Sequence, residues 1–280
     1  MGGSRSEGDD GPAPGARPGR AALAAVGIGL LAGLVSGLLG VGGGVVLVPG
    51  FIAALGLSRR EAVAGSLVAI IPISVVGVLT YWLFGGGHQV RFDLGLALSA
   101  GSVFGARYGA NLTRRVSERT LATAFGLLLV LVAARLLLPG LPGGGHPTAG
   151  LDPLAIGGAL LVGLGAGVIS GALGVGGGVV MVPAMVLLAG LAQATAQGTS
   201  LLVIIPTALS GAYTHWRNGQ VREPLVVVAG LVGAVSALLG SVLALHAEGS
   251  RLRQAFAVYL LVVAFQTFRR RGSGTVPASK

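Results

Sequence analysis

Two clusters of glycine have a spacing that could serve a binding function in this sequence. Gly40 to Gly44 has the sequence GVGGG, Gly174 to Gly178 repeats it, and a proline follows five residues after each cluster. Because glycine costs about 1 kcal/mol relative to alanine inside a helix, three consecutive glycines predict that the helix unwinds there. A short helix beginning after each break would direct its free N–H groups and the positive end of its dipole at the break, a geometry that binds anions.

Small polar side chains accompany the glycines. Ser66 in the first half, and Gln197, Thr199 and Ser200 in the second, are expected about one turn into a later apolar segment. Hydroxyl and amide groups could replace part of the hydration shell of an oxyanion, although helical Ser and Thr also bond their own backbone. The predicted substrate-binding residues are Gly42, Gly43, Gly44, Ser66, Gly176, Gly177, Gly178, Gln197, Thr199 and Ser200.

Close helix packing is the alternative explanation for the glycines. Small residues at every fourth position let the backbones of membrane helices approach each other. Three such stripes occur: Gly29, Gly33 and Gly37; Gly163, Gly167 and Gly171; Gly101, Gly105 and Gly109. We assign these stripes to packing. Packing needs one glycine per turn and does not call for three in succession, so we assign the triple glycines to binding or gating.

Several catalytic and cofactor chemistries lack the residues that they need. Cysteine is absent, which removes disulfides, thiolate metal sites and cysteine nucleophiles. The single lysine is Lys280, so the nucleotide-binding lysine is missing, and Val45 occupies the last glycine position of the dinucleotide fingerprint. The sequence offers no paired carboxylates, metal motif or nucleophile with a base at a central position. We therefore predict no enzyme activity and no cofactor.

The composition indicates a chain embedded in the lipid bilayer. Hydrophobic residues make up 53% of the 280 residues, charged residues make up 10%, and the mean hydropathy is +0.85. Charged side chains are absent from Ala21 to Ser58, Pro153 to Trp216 and Pro224 to Ala247. As one helix, the second run would extend over roughly three hydrocarbon thicknesses, so it must turn back on itself. The net charge of +10 lies in short, scattered arginine clusters, which favours membrane topology over a nucleic-acid partner.

The chain contains two copies of one unit. Gly33 to Pro49 and Gly167 to Pro183 share the pattern G-x-x-S-G-x-L-G-V-G-G-G-V-V-x-V-P, and each residue corresponds to the one 134 positions later. The same correspondence continues as far as Trp82 and Trp216. The predicted organisation is a disordered cytoplasmic tail (1–20), a first membrane repeat (21–138), a linker (139–153), a second membrane repeat (154–268) and a basic cytoplasmic tail (269–280).

Each repeat contains five apolar segments, which predicts an all-α, polytopic membrane protein. The segments are Ala21 to Leu39, Val45 to Leu57, Ala62 to Phe84, Leu94 to Leu112, Thr120 to Leu138, Leu154 to Leu173, Val179 to Leu191, Ala194 to Trp216, Leu225 to His246 and Leu252 to Phe268. The second segment of each repeat is a half-helix or a thin, tilted span, because about 13 residues cannot cross about 30 Å unaided. The arginine distribution favours a cytoplasmic N-terminus, and an odd number of crossings makes the repeats inverted.

A few large polar residues lie near the ends of these segments. His215 and Trp216, and Tyr81 and Trp82 at the corresponding positions, are expected to be anchors at the membrane interface, and proton transfer is the alternative role. Arg107 is the one cation well inside an apolar segment. It could contact an anion, but its long side chain can extend to the cytoplasmic end of that segment, which is the role we favour.

The doubled glycine motif resembles one family of membrane permeases. Two G-x-G-G-G-x-x-x-x-P segments, each followed about 17 residues later by Gly65-Ser66-Leu67 or Thr199-Ser200-Leu201, are similar to the TauE/SafE family of sulfite-exporter-like proteins. The similarity extends from about Ala21 to Phe268. It implies a transporter of small anions, often sulfur oxyanions or organosulfonates such as sulfite, sulfoacetate or thiosulfate, and leaves the particular substrate open.

The function expected from these features is secondary transport of a small anion by a multi-pass protein of the cytoplasmic membrane. An anion channel with the same glycine-lined site is the first alternative. The sequence lacks the catalytic residues that an intramembrane enzyme would need. A purely structural role would not explain two helix breaks at corresponding positions. The expected partners are the anion and the bilayer, and a homo-oligomer remains open.

Overall fold

The computed structural model describes residues 18–112, 118–138, 153–173, 177–217 and 224–269. Ten α-helices and no strand lie in these ranges. The helices are α1 (Pro18–Leu39), α2 (Gly44–Leu55), α3 (Arg59–Phe84), α4 (Phe92–Leu112), α5 (Glu118–Leu137), α6 (Pro153–Leu173), α7 (Gly178–Leu188), α8 (Gln193–Arg217), α9 (Pro224–His246) and α10 (Gly249–Arg269).

The helices coincide with the ten predicted apolar segments, and the all-α polytopic fold is confirmed. α1 begins at Pro18, slightly inside the predicted N-terminal tail, because proline suits the first turn of a helix, where its missing N–H costs no hydrogen bond. The remainder of that tail (1–17), most of the linker (139–152) and the C-terminal residues 270–280 lie outside the described residues. The repeat boundaries remain predictions.

Local sequence signals explain how the first short helix ends and the next long helix begins. Gly56, with φ 68°, ends α2 in the left-handed conformation that glycine adopts without strain. The side chain of Ser58 accepts the Glu61 N–H at 3.3 Å, and the Glu61 carboxylate accepts the Ser58 N–H at 2.9 Å. This reciprocal capping box satisfies two N–H groups that would otherwise lack partners at the start of α3.

The lengths and surfaces of the helices are those of a membrane protein. Among the described residues, four helical stretches are long and apolar enough to cross a bilayer: Gly19–Leu39, Arg59–Phe84, Pro153–Ser170 and Pro224–His246. α2 and α7, with 12 and 11 residues, are each under about 20 Å long and shorter than the hydrocarbon layer. Large apolar side chains, including Leu131, Leu161 and Val235, are exposed on the outside of the bundle, as lipid contact requires.

The helices of the two halves interlock in a pattern with pseudo-two-fold symmetry. The most extensive contacts join α1 to α9 and, equivalently, α4 to α6, while α3 packs on α8 and α5 on α10. Gly29, Gly33 and Gly37 of α1 lie against the backbone of Ala229, Gly233 and Ala237 of α9, so these two helices are parallel. Gly101 and Gly105 of α4 and Gly163 and Gly167 of α6 make the equivalent contacts. The packing role predicted for these glycines is confirmed.

The corresponding third helices of the two halves run in opposite directions. Leu67, near the start of α3, contacts Gly211, near the end of α8, whereas Gly77 contacts Leu201. α3 and α8 are therefore antiparallel, which is the relation that inverted repeats require. The inversion of the repeats with respect to a membrane remains a prediction.

Substitution of one stripe glycine provides a test of the α1–α9 contact. At Gly33 an added Cβ would overlap the carbonyl oxygen of Gly233, whereas at Gly27, on the same helix, an added Cβ would meet no atom within 4 Å. We expect Gly33→Ala to lower the free energy of unfolding by about 1–3 kcal/mol. Gly27→Ala should leave it unchanged or raise it by up to about 1 kcal/mol.

The measurement is thermal unfolding of the purified variants in one detergent. Equal stability of the two variants would contradict direct backbone contact at Gly33.

Candidate functional site

The first glycine cluster interrupts the helix, as predicted. α1 ends at Leu39 and α2 begins at Gly44, and between them Gly40, Gly42 and Gly43 have φ angles of 71°, 79° and 76°. These left-handed angles strain any residue with a Cβ, which explains why glycine occupies three of the four linking positions. The carbonyl of Gly43 then accepts the N–H groups of Val46 and Leu47, both at 3.0 Å, and starts α2.

The second cluster also lies between two helices. α6 ends at Leu173 and α7 begins at Gly178, and the Gly177 carbonyl accepts the N–H groups of Val180 and Met181 at 3.1 and 3.0 Å. Gly177 has φ −63°, an ordinary helical value. The predicted site residue Gly176 lies outside the described residues.

The two breaks touch each other at the centre of the bundle. An added Cβ at Gly178 would lie 2.6 Å from the Gly40 oxygen and 2.8 Å from the Val41 Cα. Gly42 lies between the side chains of Ile70 on α3 and Ile204 on α8, which are equivalent residues of the two repeats. The structure therefore brings Gly178 of the second half against Gly40 and Val41 of the first, and the absence of a side chain at Gly178 makes that approach possible.

Unpaired backbone N–H groups accompany this contact. Among the described residues, nothing accepts a hydrogen bond from Gly44 and Val45 at the start of α2, or from Gly178 and Val179 at the start of α7. These are the orphan donors that every helix N-terminus exposes, and they carry the positive end of the helix dipole. Gly44, Gly178 and Val179 are buried, so water outside the bundle does not reach them freely.

A buried polar network lies beside the first break. The backbone of Gln197 packs on Gly40, because a Cβ added at Gly40 would be 2.6 Å from the Gln197 Cα. The Tyr81 hydroxyl lies 2.9 Å from the Gly37 oxygen and 3.0 Å from the side-chain oxygen of Gln197, and the Ser241 hydroxyl donates to Gly37 at 3.4 Å. Tyr81 and Gln197 both have zero exposure.

One polar atom of Gln197 has no partner in this network. As placed, the side-chain Nε2 of Gln197 is buried without a hydrogen bond. A tyrosine hydroxyl carries one proton, so if Tyr81 gives it to Gly37, the amide turns over and its oxygen becomes the unpaired atom. In either orientation, a fully buried side chain beside Gly40 retains one unused hydrogen-bonding atom, which is costly unless a ligand satisfies it.

The predicted hydroxyls differ in what they contact. Ser66 donates to the Val63 carbonyl of its own helix at 2.8 Å, which is the alternative role of a helical serine. Thr199 accepts the backbone N–H of Arg91 at 3.0 Å. Ser200 and, in the last turns of α1, Ser36 are buried, and their hydroxyls have no hydrogen-bond partner among the described residues.

The prediction that Tyr81 is an interfacial anchor is wrong. Because α3 and α8 are antiparallel, the last turn of α3 lies beside the first turns of α8, and Tyr81 faces Gln197 inside the bundle. Its spacing of four and eleven residues from Gly77 and Ile70 places it on the helix face of those two buried residues, a signal that the sequence contained. Trp82 and Trp216 are 44% and 66% exposed, as anchors would be.

The loop of residues 85–91 covers this end of α8. Thr195 donates to the Gln89 side-chain oxygen at 2.7 Å, and Arg91 bonds Thr199 through its backbone. The Arg91 guanidinium also donates to both carboxylate oxygens of Asp93, at 2.9 and 2.6 Å, which lowers the pKa of Asp93. Arg91 is thereby committed to a neighbouring carboxylate at the edge of the bundle.

The contact between the breaks can be tested with two neighbouring glycines. Gly178→Ala would push a methyl group into the backbone of Gly40 and Val41, whereas Gly177→Ala would meet only the flexible end of Met181, 2.8 Å away. We expect Gly178→Ala to lower the free energy of unfolding by about 1–3 kcal/mol. Gly177→Ala should change it by less than about 0.5 kcal/mol.

The two variants would be compared by thermal unfolding in detergent. A Gly178→Ala protein as stable as Gly177→Ala would show that the two breaks are not in contact.

Comparison with known proteins places the chain in a family. The family described as Sulfite exporter TauE/SafE matches residues 3–136 and 159–280. The probable membrane transporter protein YunE of Bacillus subtilis is 26% identical over 218 residues, which cover 70% of this chain and 78% of the relative. A probable membrane transporter protein of Haemophilus influenzae is 29% identical over 119 residues, 39% of this chain and 45% of the relative. The family match extends over both repeats, and this chain is therefore a member of the TauE/SafE family of membrane transporters.

Proposed function

We propose that this protein is a secondary transporter that moves a small anion, a sulfur oxyanion or organosulfonate such as sulfite, across the cell membrane. The observation that carries the proposal is the contact between the two glycine breaks, where each half contributes a helix N-terminus with unpaired N–H groups. Donors fixed in this way stabilise negative charge without reorganising when the anion arrives. Gln197 adds an unpaired side-chain group beside Gly40, and Ser200, three residues further along α8, adds a hydroxyl without a partner among the described residues.

Burial of the site favours a transporter over a channel. Gly40, Gly42, Gly43, Gly44, Gly177 and Gly178 are all buried in the bundle. An anion therefore reaches them only when the helices around the breaks rearrange. Such a rearrangement limits the rate and makes the flux saturable, which is the behaviour of a transporter. The anion channel remains the second candidate, because the same donors could line a continuous pathway in another conformation.

The direct experiment is flux of labelled sulfite, thiosulfate, sulfoacetate and sulfate in proteoliposomes that contain the full chain. Saturable flux of at least one of these anions is expected, with protein-free liposomes as the control. Unitary currents in planar bilayers would show that the protein is an anion channel and not a transporter. Absence of flux for all four anions would contradict the proposal.

A pair of glutamines tests the proposed site. Gln197→Leu removes an amide beside Gly40, and we expect flux on the order of 10- to 100-fold lower, the cost of one hydrogen bond to a charged ligand. Gln266→Leu removes the same amide from an exposed position of α10 and should retain most of the flux.

Protein amounts in the vesicles and thermal stability of both variants would be matched. Equal flux through the two variants would show that Gln197 does not contact the transported anion.

A further inference from the structure

Among the helices that surround the two breaks, α1 to α3 and α6 to α9 carry no charged side chain in their apolar runs, and Arg107, within the apolar segment of α4, has an exposed side chain. Asp, Glu, Lys and Arg are absent from Ala21 to Ser58, Ala62 to Phe84, Pro153 to Trp216 and Pro224 to Ala247. These runs include both glycine clusters completely, as well as every residue described above as touching them. The charge-free character of the site therefore follows from the sequence alone.

The titratable groups nearest to the described part of the site are a tyrosine, two histidines and an arginine paired with an aspartate. The Tyr81 hydroxyl is part of the network. His215 occupies on α8 the position that Tyr81 occupies on α3 and is half-buried, and His246 is exposed and bonds the Val242 carbonyl of its own helix at 2.9 Å. Arg91, which approaches α8 through its backbone, is neutralised by its bidentate contact with Asp93.

The donors identified at the site are neutral dipoles. They are the N–H groups at the starts of α2 and α7, the Ser200 hydroxyl and, in the orientation that leaves its Nε2 unpaired, the Gln197 amide. The stabilisation of an ion by fixed dipoles increases in proportion to its charge, whereas the cost of removing it from water increases with the square of the charge. A dianion would thus gain about twice the stabilisation of a monoanion but lose roughly four times the hydration free energy.

We infer that the site takes its substrate as a monoanion and excludes dianions. This inference rests on the proposed function and specifies the charge of the substrate. Hydrogensulfite, HSO₃⁻, and singly charged sulfonates fit these donors, whereas SO₃²⁻, thiosulfate and sulfate do not. Movement of hydrogensulfite carries one proton together with the anion, so sulfite flux depends on pH through the ionisation of sulfite itself.

The test compares three labelled anions in proteoliposomes of the full chain, from mildly acidic to mildly alkaline pH. Methanesulfonate is a monoanion and thiosulfate a dianion throughout, while sulfite changes from monoanion to dianion near neutral pH. We expect methanesulfonate flux to be independent of pH and thiosulfate flux to be at least about tenfold lower. Sulfite flux should fall with rising pH in proportion to the remaining hydrogensulfite.

Two outcomes would overturn the inference and leave the proposed function standing: sulfite flux that is constant or rises with pH, and thiosulfate flux equal to that of methanesulfonate. Flux of none of the three anions would overturn the inference and the proposed function together.

A charge placed in the site provides an independent measurement. Gln197→Lys introduces a cation beside Gly40 and should raise the ratio of thiosulfate to methanesulfonate flux by about tenfold or more. Leu154→Lys adds the same charge at the exposed start of α6, at the opposite end of that helix from the second glycine cluster, and should leave that ratio unchanged. An unchanged ratio in a correctly inserted Gln197→Lys protein would also overturn the inference, and if that variant fails to insert, the pH series of the unaltered protein decides.

Discussion

Contact between backbones at glycine is the constraint on which the arrangement of this protein depends. α1 lies directly on α9 along Gly29, Gly33 and Gly37, and the last of these residues is only three positions before the first break. Because protein interiors are close-packed, a side chain inserted into this contact would displace the end of α1, and with it the break. The residues that pack the helices and those that form the site are therefore mechanically continuous, although they have different roles.

The two halves are similar in backbone but differ in the polar groups that they bring to the centre. Gln197 occupies the position that corresponds to Val63, and Tyr81 the position that corresponds to His215. Both of these polar residues lie at the first break, next to Gly37 and Gly40. An anion held between the helix N-termini would thus meet similar backbone donors from each side but side-chain groups mainly from one. In the proposed site, pseudo-symmetry would supply the similar backbone donors, and the residues that differ between the halves would supply the side-chain groups.

The sequence was sufficient to predict the ten helices and the interruption at the first glycine cluster. Long uncharged runs, regular small-residue stripes and three glycines in succession each have one dominant physical consequence. The role of Tyr81 could not be assigned with the same rules, because a tyrosine near a helix end suits both an interface and a buried network. The antiparallel packing of α3 and α8 decides between them, and that packing depends on contacts between residues far apart in the chain. The same holds for Ser66, whose hydrogen bond to Val63 depends on a rotamer choice that sequence spacing does not determine.

Each of the two hydrophobic cores draws on both halves of the chain. Phe51 and Ile70 of the first half share one core with Leu201 and Ala229 of the second, and the other core is mixed in the same way. A half of this chain on its own would leave the faces of its helices without the neighbours that cover them. If the repeats are inverted in the membrane and descend from a gene that encoded a single half, the ancestral polypeptide would have inserted in both orientations and paired with itself as a homodimer. Fusion of two such genes would convert an association that depends on concentration into an intramolecular one, and would free each copy to acquire its own polar residues.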